Sequence, residues 1–288
     1  MTAHHKVAVL THPRDKFESG SYHLLKMIEI WRTLGIDVAV LHGIDRFEEA
    51  DALFLHVDLT VIPEEYLAFC RRYPVVINGR VHDISKRKIS RNLVTPGGPY
   101  QGEVIVKTDL NHAGRSEQRA VRLWRLRRML ASCLPWGWTG NLTPESYPIF
   151  PSPAAVPGRV WKDSRLVVER FIPEREGKYY CLRQWLFLGN RSVGQRLVSP
   201  NPVVKAANIV RRDYDLPVPE ALRAMREELG FDYGKFDYVI ANDKAVLLDA
   251  NRTPTAGLKT KVPRRKNNAE ELAPGLASFL LGAGAKVS

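Results

Sequence analysis

The chain has 288 residues, 44% of them hydrophobic and 26% charged, a globular composition that excludes wholesale disorder and collagen-like structure. Its length suits about two domains, or one domain with lobes. The excess of 43 Lys+Arg over 31 Asp+Glu, +12 in all, draws phosphate-bearing partners (nucleic acid, nucleotides, anionic lipid or acidic small substrates) without choosing among them.

The first ten residues are a polar lead and a strand-like run, Val7–Leu10, without the apolar core or cleavage site of a signal peptide. Between Tyr22 and Leu34, the residues Leu24, Leu25, Ile28, Trp31 and Leu34 make a helical stripe that Gly35 stops. Strands are predicted over Ile36–Leu41, Ala52–Val57 and Val75–Asn78, with a helix over Glu64–Arg72 opened by Pro63. This alternation implies a small open α/β domain over residues 1–83, whose ligand-lining loops would be Thr11–Gly20 and Asn78–Asp83. Neither a Gly-x-Gly-x-x-Gly after the first strand nor a P-loop occurs.

A short basic helix (Ile84–Asn92), a turn-rich stretch and a strand over Glu103–Lys107 follow. A second helix with five arginines, and Arg115 just before it, is predicted over Ser116–Leu130, then a proline-rich crossing over Pro144–Gly158. Together these make a first lobe, residues 84–165. Strands over Leu166–Phe171, Tyr179–Leu188, Arg191–Val198, Tyr238–Ala241 and Ala245–Asp249 belong to a second lobe, residues 166–288. It also holds a helix over Pro219–Leu229, a basic tail over Lys259–Asn268 and a last helix from Glu270 to Leu281. The absence of any long apolar run excludes a transmembrane helix. The three isolated cysteines, Cys70, Cys133 and Cys181, exclude a thiolate zinc site and a disulfide scaffold, so a cytoplasmic setting is expected.

The segment from Lys235 to Pro254 carries the chemistry. It predicts a hairpin turning at Asn242-Asp243, with Asp249 and Asn251 on one face of its second strand and Asp237 beside Asp249. Two carboxylates and an amide oxygen make a hard-oxygen site suited to Mg²⁺ or Mn²⁺ bridging phosphates. The bland alternative is a solvated hairpin whose Asn251-Arg252-Thr253-Pro254 is a plain turn.

An acid, a spacer of a dozen residues and then acid-x-Asn-x-x-Pro, here Asp237 and Asp249-Ala250-Asn251-Arg252-Thr253-Pro254, resembles the signature of the ATP-grasp superfamily of carboxylate–amine ligases. The resemblance implies an α+β fold of two lobes around ATP, preceded by the small α/β domain. It also implies roles for residues in family order. Lys107 and the loop ending at Gly114 would hold ATP phosphates, with either Lys86 or Lys88 as an earlier lysine. The backbone of Glu169, Arg170, Phe171 and Ile172 would pair with adenine, and Glu176 would bind ribose. Arg183 and Arg196 would face the transferred phosphoryl group. The implied activity is ATP-dependent ligation through an acyl phosphate, with Mg²⁺ and an anionic small-molecule or peptide substrate. A kinase on the same scaffold and a non-catalytic nucleotide- or nucleic-acid-binding protein remain as other readings.

Overall fold

The computed structural model describes residues 5–114, 116–117, 142, 147–255, 262 and 268–280. The helix expected over Ser116–Leu130 and the basic tail therefore lie almost wholly outside the described residues. Four parallel strands, β1 (Lys6–Thr11), β2 (Asp37–His42), β3 (Ala52–Leu55) and β4 (Val76–Ile77), form an open sheet in the order β2-β1-β3-β4. Alternation along these strands buries both faces. Val7, Val9 and Phe54 pack with α1 (His23–Thr33), while Ala8, Leu53 and Leu55 pack with α2 (Glu64–Cys70). This is the α/β unit the sequence predicts.

Two antiparallel sheets follow. The smaller joins β5 (Val104–Thr108) to β6 (Ile149–Phe150) on one side and β7 (Leu166–Arg170) on the other. The strand β7, which follows residue 165, thus pairs with β5, which precedes it. The larger sheet comprises β8 (Glu174–Glu176), β9 (Tyr179–Leu188), β10 (Arg191–Ser199), β11 (Arg211–Tyr214), β12 (Tyr233–Ala241) and β13 (Lys244–Asn251). Its order is β11-β10-β9-β12-β13, with β8 alongside β9. The expected α+β class is thus observed, and β8 and β11 are additions to the expected strands.

The large sheet is covered on both faces. On the back, Trp185, Phe187, Phe236 and Tyr238 pack with Leu222 of α4 (Glu220–Leu229). On the front, Leu186, Leu188, Val193 and Tyr233 share a core with α1 and α5 (Asn268–Leu272). Polar links fix this junction. Asn78, fully buried just after β4, accepts from the backbone N–H of Asp232 and Tyr233 and donates to the Tyr233 carbonyl. The Trp31 indole donates to the Ala273 carbonyl at 2.8 Å. The α/β unit is thereby seated against the front of the sheet, where the acidic hairpin faces. No described helix is long and apolar enough to cross a membrane.

Candidate active site

The site begins with the turn of the β12–β13 hairpin. Asn242 and Asp243 have φ of 49° and 59°, the two positive values that a tight two-residue hairpin turn needs. Pairing runs regularly from Ala241↔Lys244 to Tyr238↔Leu247 and then shifts, so that Asp237 pairs with Asp249. Leu248 is the extra residue. Without this bulge the turn would set Asp237 opposite Leu248, and the two acids would lie on opposite faces. The acidic pair therefore depends on a local break in the ladder.

Around the pair stand lysines from separate parts of the chain. Lys86, the first residue of α3 (Lys86–Ile89), is buried, with Nζ 3.3 Å from Asp249 Oδ1. Burial by itself would pull this ammonium down, but Asp249, together with Tyr147 and Glu169, more than reverses it and raises its affinity for the proton. Lys88, the other candidate, is exposed. Lys107 of β5 is buried, and its Nζ lies 2.5 Å from Glu169 Oε2. Lys235 donates to Asp237 Oδ2 at 3.0 Å. Lys205, on the β10–β11 connection, stands over the Tyr147 ring, and burial pulls its ammonium down despite the nearby Asp237 and Asp249. Burial opposes ionisation of Asp249, yet Lys86, Lys107, Lys235 and Lys205 hold its carboxyl below the ordinary range. Four ammonium groups thus face the three carboxylates Asp237, Asp249 and Glu169, a surplus suited to a polyanion.

Asn251 is buried beside the acids, pairing with Lys235 across the ladder. Its Oδ1 accepts the Thr253 N–H at 2.8 Å, and its Nδ2 lies 3.4 Å from His112 Nε2. Gly114 closes the short turn Asn111–Gly114 at φ +65°, a conformation that side chains rarely adopt. Thr253 Oγ1 donates to Asp58 Oδ1, and Asp58 also accepts from Ser116 and Tyr22. The fully buried Arg252 donates to the carbonyls of Val81 and Leu59. These bonds tie the hairpin's exit to the loops beyond the carboxyl ends of the parallel strands.

Several expected site residues stand elsewhere. Arg183 and Arg196 are cross-strand partners on β9 and β10, and Arg183 pairs with Tyr238, the neighbour of Asp237 that faces the back. Alternation therefore directs both arginines away from the acids. Arg183 Nε donates to both oxygens of Glu174, at 3.0 and 2.8 Å, while Arg196 is bound by Asp213 and Glu176. Glu176 is held by Arg196 and Arg211 in the same back-face network. The N–H groups of Arg170 and Phe171 are bonded to the carbonyls of Asn92 and Glu103, so they are not open to a base. Glu169 instead contributes its side chain, buried against Lys107, and Ile172 follows half-buried beyond β7.

The front-face positions beside the displaced arginines are Gln184 and Gln195. Gln184 Nε2 donates to Asp237 Oδ1 at 3.0 Å, and Gln195 Nε2 donates to Gln184 Oε1 at 2.7 Å. Neither glutamine, nor Lys205 or Lys235, was assigned a role by the sequence. The signal lay one position away, because a one-residue change of parity exchanges the faces of a strand.

Among the described residues, no group of three or more His, Cys, Asp or Glu side chains is arranged to hold a metal ion. The set Asp237, Asp249 and Asn251 nevertheless fits Mg²⁺ in donor chemistry, since that ion takes one or two carboxylates and fills its shell with phosphate oxygens and water. The lysines now paired with the carboxylates supply the partners such phosphates would need.

No protein-family model matches the sequence, and no curated protein matches it. Solved structures do. A RimK-domain ATP-grasp protein from Sphaerobacter thermophilus is 15% identical with a TM-score of 0.48, covering 96% of this chain and 100% of its own. D-alanine–D-alanine ligase from Bacillus anthracis is 11% identical with a TM-score of 0.46, covering 98% and 96%. The macrocyclase MdnC from Microcystis aeruginosa, solved with its precursor peptide MdnA, is 12% identical with a TM-score of 0.44, covering 86% and 92%. The chain is thus similar, over nearly its whole length, to solved structures of ATP-grasp ligases.

Proposed function

We propose that this chain binds Mg–ATP between the β5–β7 sheet and the β12–β13 hairpin, and uses it to join a carboxylate to an amine. The observation that carries this reading is the convergence of Lys86, Lys107, Lys205 and Lys235 on the Asp237–Asp249 pair. Lysines that neutralise acids through single contacts can be drawn onto phosphate oxygens while the acids turn to a cation.

Asp237 and Asp249, with Asn251 beside them, would hold Mg²⁺, which when bound supplies positive charge to the triphosphate. Lys86 and Lys107 orient the phosphates from the opposite lobe, and Lys205 and Lys235 offset charge that builds on the transferred group. Phosphoryl transfer asks a protein mainly for such positioning and electrostatics. A carboxylate oxygen attacks the γ-phosphorus and ADP leaves. An amine then attacks the acyl carbon, inorganic phosphate departs, and the amine gives up a proton. The net charge of +12 favours an anionic substrate, a small molecule or a peptide.

The test is release of ADP and phosphate with Mg²⁺ and pooled amino acids and peptides, beside Asp249→Ala and Lys107→Ala. Stoichiometric ADP and phosphate from wild type alone supports ligation. ADP without phosphate would make the protein a kinase, and equal ATP binding by all three proteins would remove the site assignment.

A further inference from the structure

Asp237 is the end of a hydrogen-bonded line that crosses four strands of the front face. Arg212 of β11, which is buried, donates from Nη1 to Gln195 Oε1 at 2.7 Å. Gln195, also buried, donates from Nε2 to Gln184 Oε1 at 2.7 Å, and Gln184 donates from Nε2 to Asp237 Oδ1 at 3.0 Å. The direction of this line is determined at one end. A guanidinium only donates, so Gln195 must turn its oxygen toward Arg212 and its NH₂ toward Gln184. Gln184 must then do the same toward Asp237. An ionised carboxylate only accepts, so the far end agrees with the near one, and every amide is used in its single consistent orientation.

We infer that Arg212, Gln195 and Gln184 are a positioning relay that orients Asp237 for the cation, and this rests on the metal–nucleotide reading above. The line occupies Oδ1 from the sheet side and leaves Oδ2, which Lys235 holds, to turn toward the site. Asp249 is instead bonded by Lys86, a lysine of the opposite lobe. The two acids therefore differ: Asp237 is anchored within its own sheet, and Asp249 is held across the cleft. Partners behind a metal-binding carboxylate commonly change metal affinity by about 10- to 100-fold.

Gln195→Glu separates this role from simple packing. The substitution keeps the shape and still gives Arg212 an acceptor, but it cannot donate to Gln184. Gln184 must then either turn its own oxygen toward Asp237 or lose a partner. The added negative charge alone would tighten cation binding, so weaker binding has the sign that only the relay expects. Mn²⁺ binding is titrated by electron paramagnetic resonance in the presence of ATP, with metal-free ATP binding followed by calorimetry and folding by urea denaturation. The relay expects about tenfold weaker Mn²⁺ binding in Gln195→Glu, with metal-free ATP affinity and urea midpoint close to wild type. Asp237→Asn should weaken Mn²⁺ binding at least as much. If Gln195→Glu binds Mn²⁺ as tightly as wild type or more so while Asp237→Asn does not, the relay is wrong and the metal site stands. If Asp237→Asn also binds as wild type, the metal assignment fails and takes the relay with it. Gln184→Met, which removes the final donor without adding charge, should reproduce the loss, and wild-type affinity there would equally overturn the relay.

Discussion

The two faces of the large sheet use the same kinds of charge in different ways. On the back, arginines bind carboxylates several times over: Arg183 takes both oxygens of Glu174, and Arg196 and Arg211 share Glu176 and Asp213. On the front, lysines meet carboxylates through single contacts, Lys86 to Asp249 at 3.3 Å and Lys235 to Asp237 at 3.0 Å. A guanidinium fork locks geometry, whereas an ammonium on a four-carbon stem exchanges partners with little reorganisation. The back face is thus built to stay as it is, and the front face to be rearranged by a ligand.

The sharpest way to break that comparison is Asp249→Ala. ADP release should fall by about 10³-fold, and the urea midpoint should fall as well, because Lys86 stays buried without the charge that offsets its burial. A large loss of stability with little loss of activity would make the front face structural.

Acid separates a third set of groups from both faces. His56 is fully buried beyond β3 among Phe17, Tyr22 and Tyr233, and burial pushes its imidazole down to about 4. The fold accepts only the neutral ring, so no penalty exists above the ordinary value near 6.5. The penalty grows as pH falls below that value and is complete below about 4, reaching about 3 kcal/mol. The carboxyls of Glu176 and Asp213 are also held below their ordinary values, Glu176 chiefly by its bond from Arg211, and Asp213 by Arg211 and Arg196 against the opposing effect of burial. Their contribution is present above the ordinary carboxylate range and is lost as pH falls below that range through their depressed values. Urea midpoints between pH 7 and 5 should therefore decline in wild type and decline less steeply in His56→Phe, where His112 and His12, also pushed down by burial, remain. A decline of equal slope in both proteins would assign the loss to other groups.

Arg196→Met tests the back face directly. Its removal leaves Asp213 and Glu176 with fewer donors, and stability should fall by about 2 kcal/mol while ATP affinity stays within about twofold. Parallel loss of ATP affinity would restore Arg196 to the site. The smallest effect belongs to Lys88→Ala. That side chain is exposed, so stability should move by less than about 0.5 kcal/mol, with ADP release unchanged. Lys86→Ala, by contrast, should abolish most of the turnover, and equal behaviour of the two lysines would show that α3 contributes charge without position.

Much of the fold was legible along the chain. The stripe from Leu24 to Trp31 gave α1, the Asn242-Asp243 turn located the hairpin, and the strands of the parallel sheet lay within a residue or two of their expected limits. Part of the candidate site was legible too. Lys107 and the choice between Lys86 and Lys88 came only with the ATP-grasp resemblance, whereas Asp237, Asp249 and Asn251 stand out through their spacing. These are local properties: periodicity, turn chemistry and the short distance between two arms of a hairpin.

What lay beyond the sequence was parity and partnership. Asp237 does lie beside Asp249 as expected, but counting from the turn puts it opposite Leu248, and the bulge that brings it to Asp249 belongs to the folded ladder. Arg183 and Gln184 are neighbours with opposite fates, and hydrophobic alternation cannot separate them because both faces of β9 are buried: Trp185 and Phe187 behind, Leu186 and Leu188 in front. Lys205 joins the site from a connection with no periodicity of its own. Chain chemistry thus specified which groups were available. Cross-strand register and the docking of three sheets decided which of them meet, because each depends on pairings between residues far apart along the backbone.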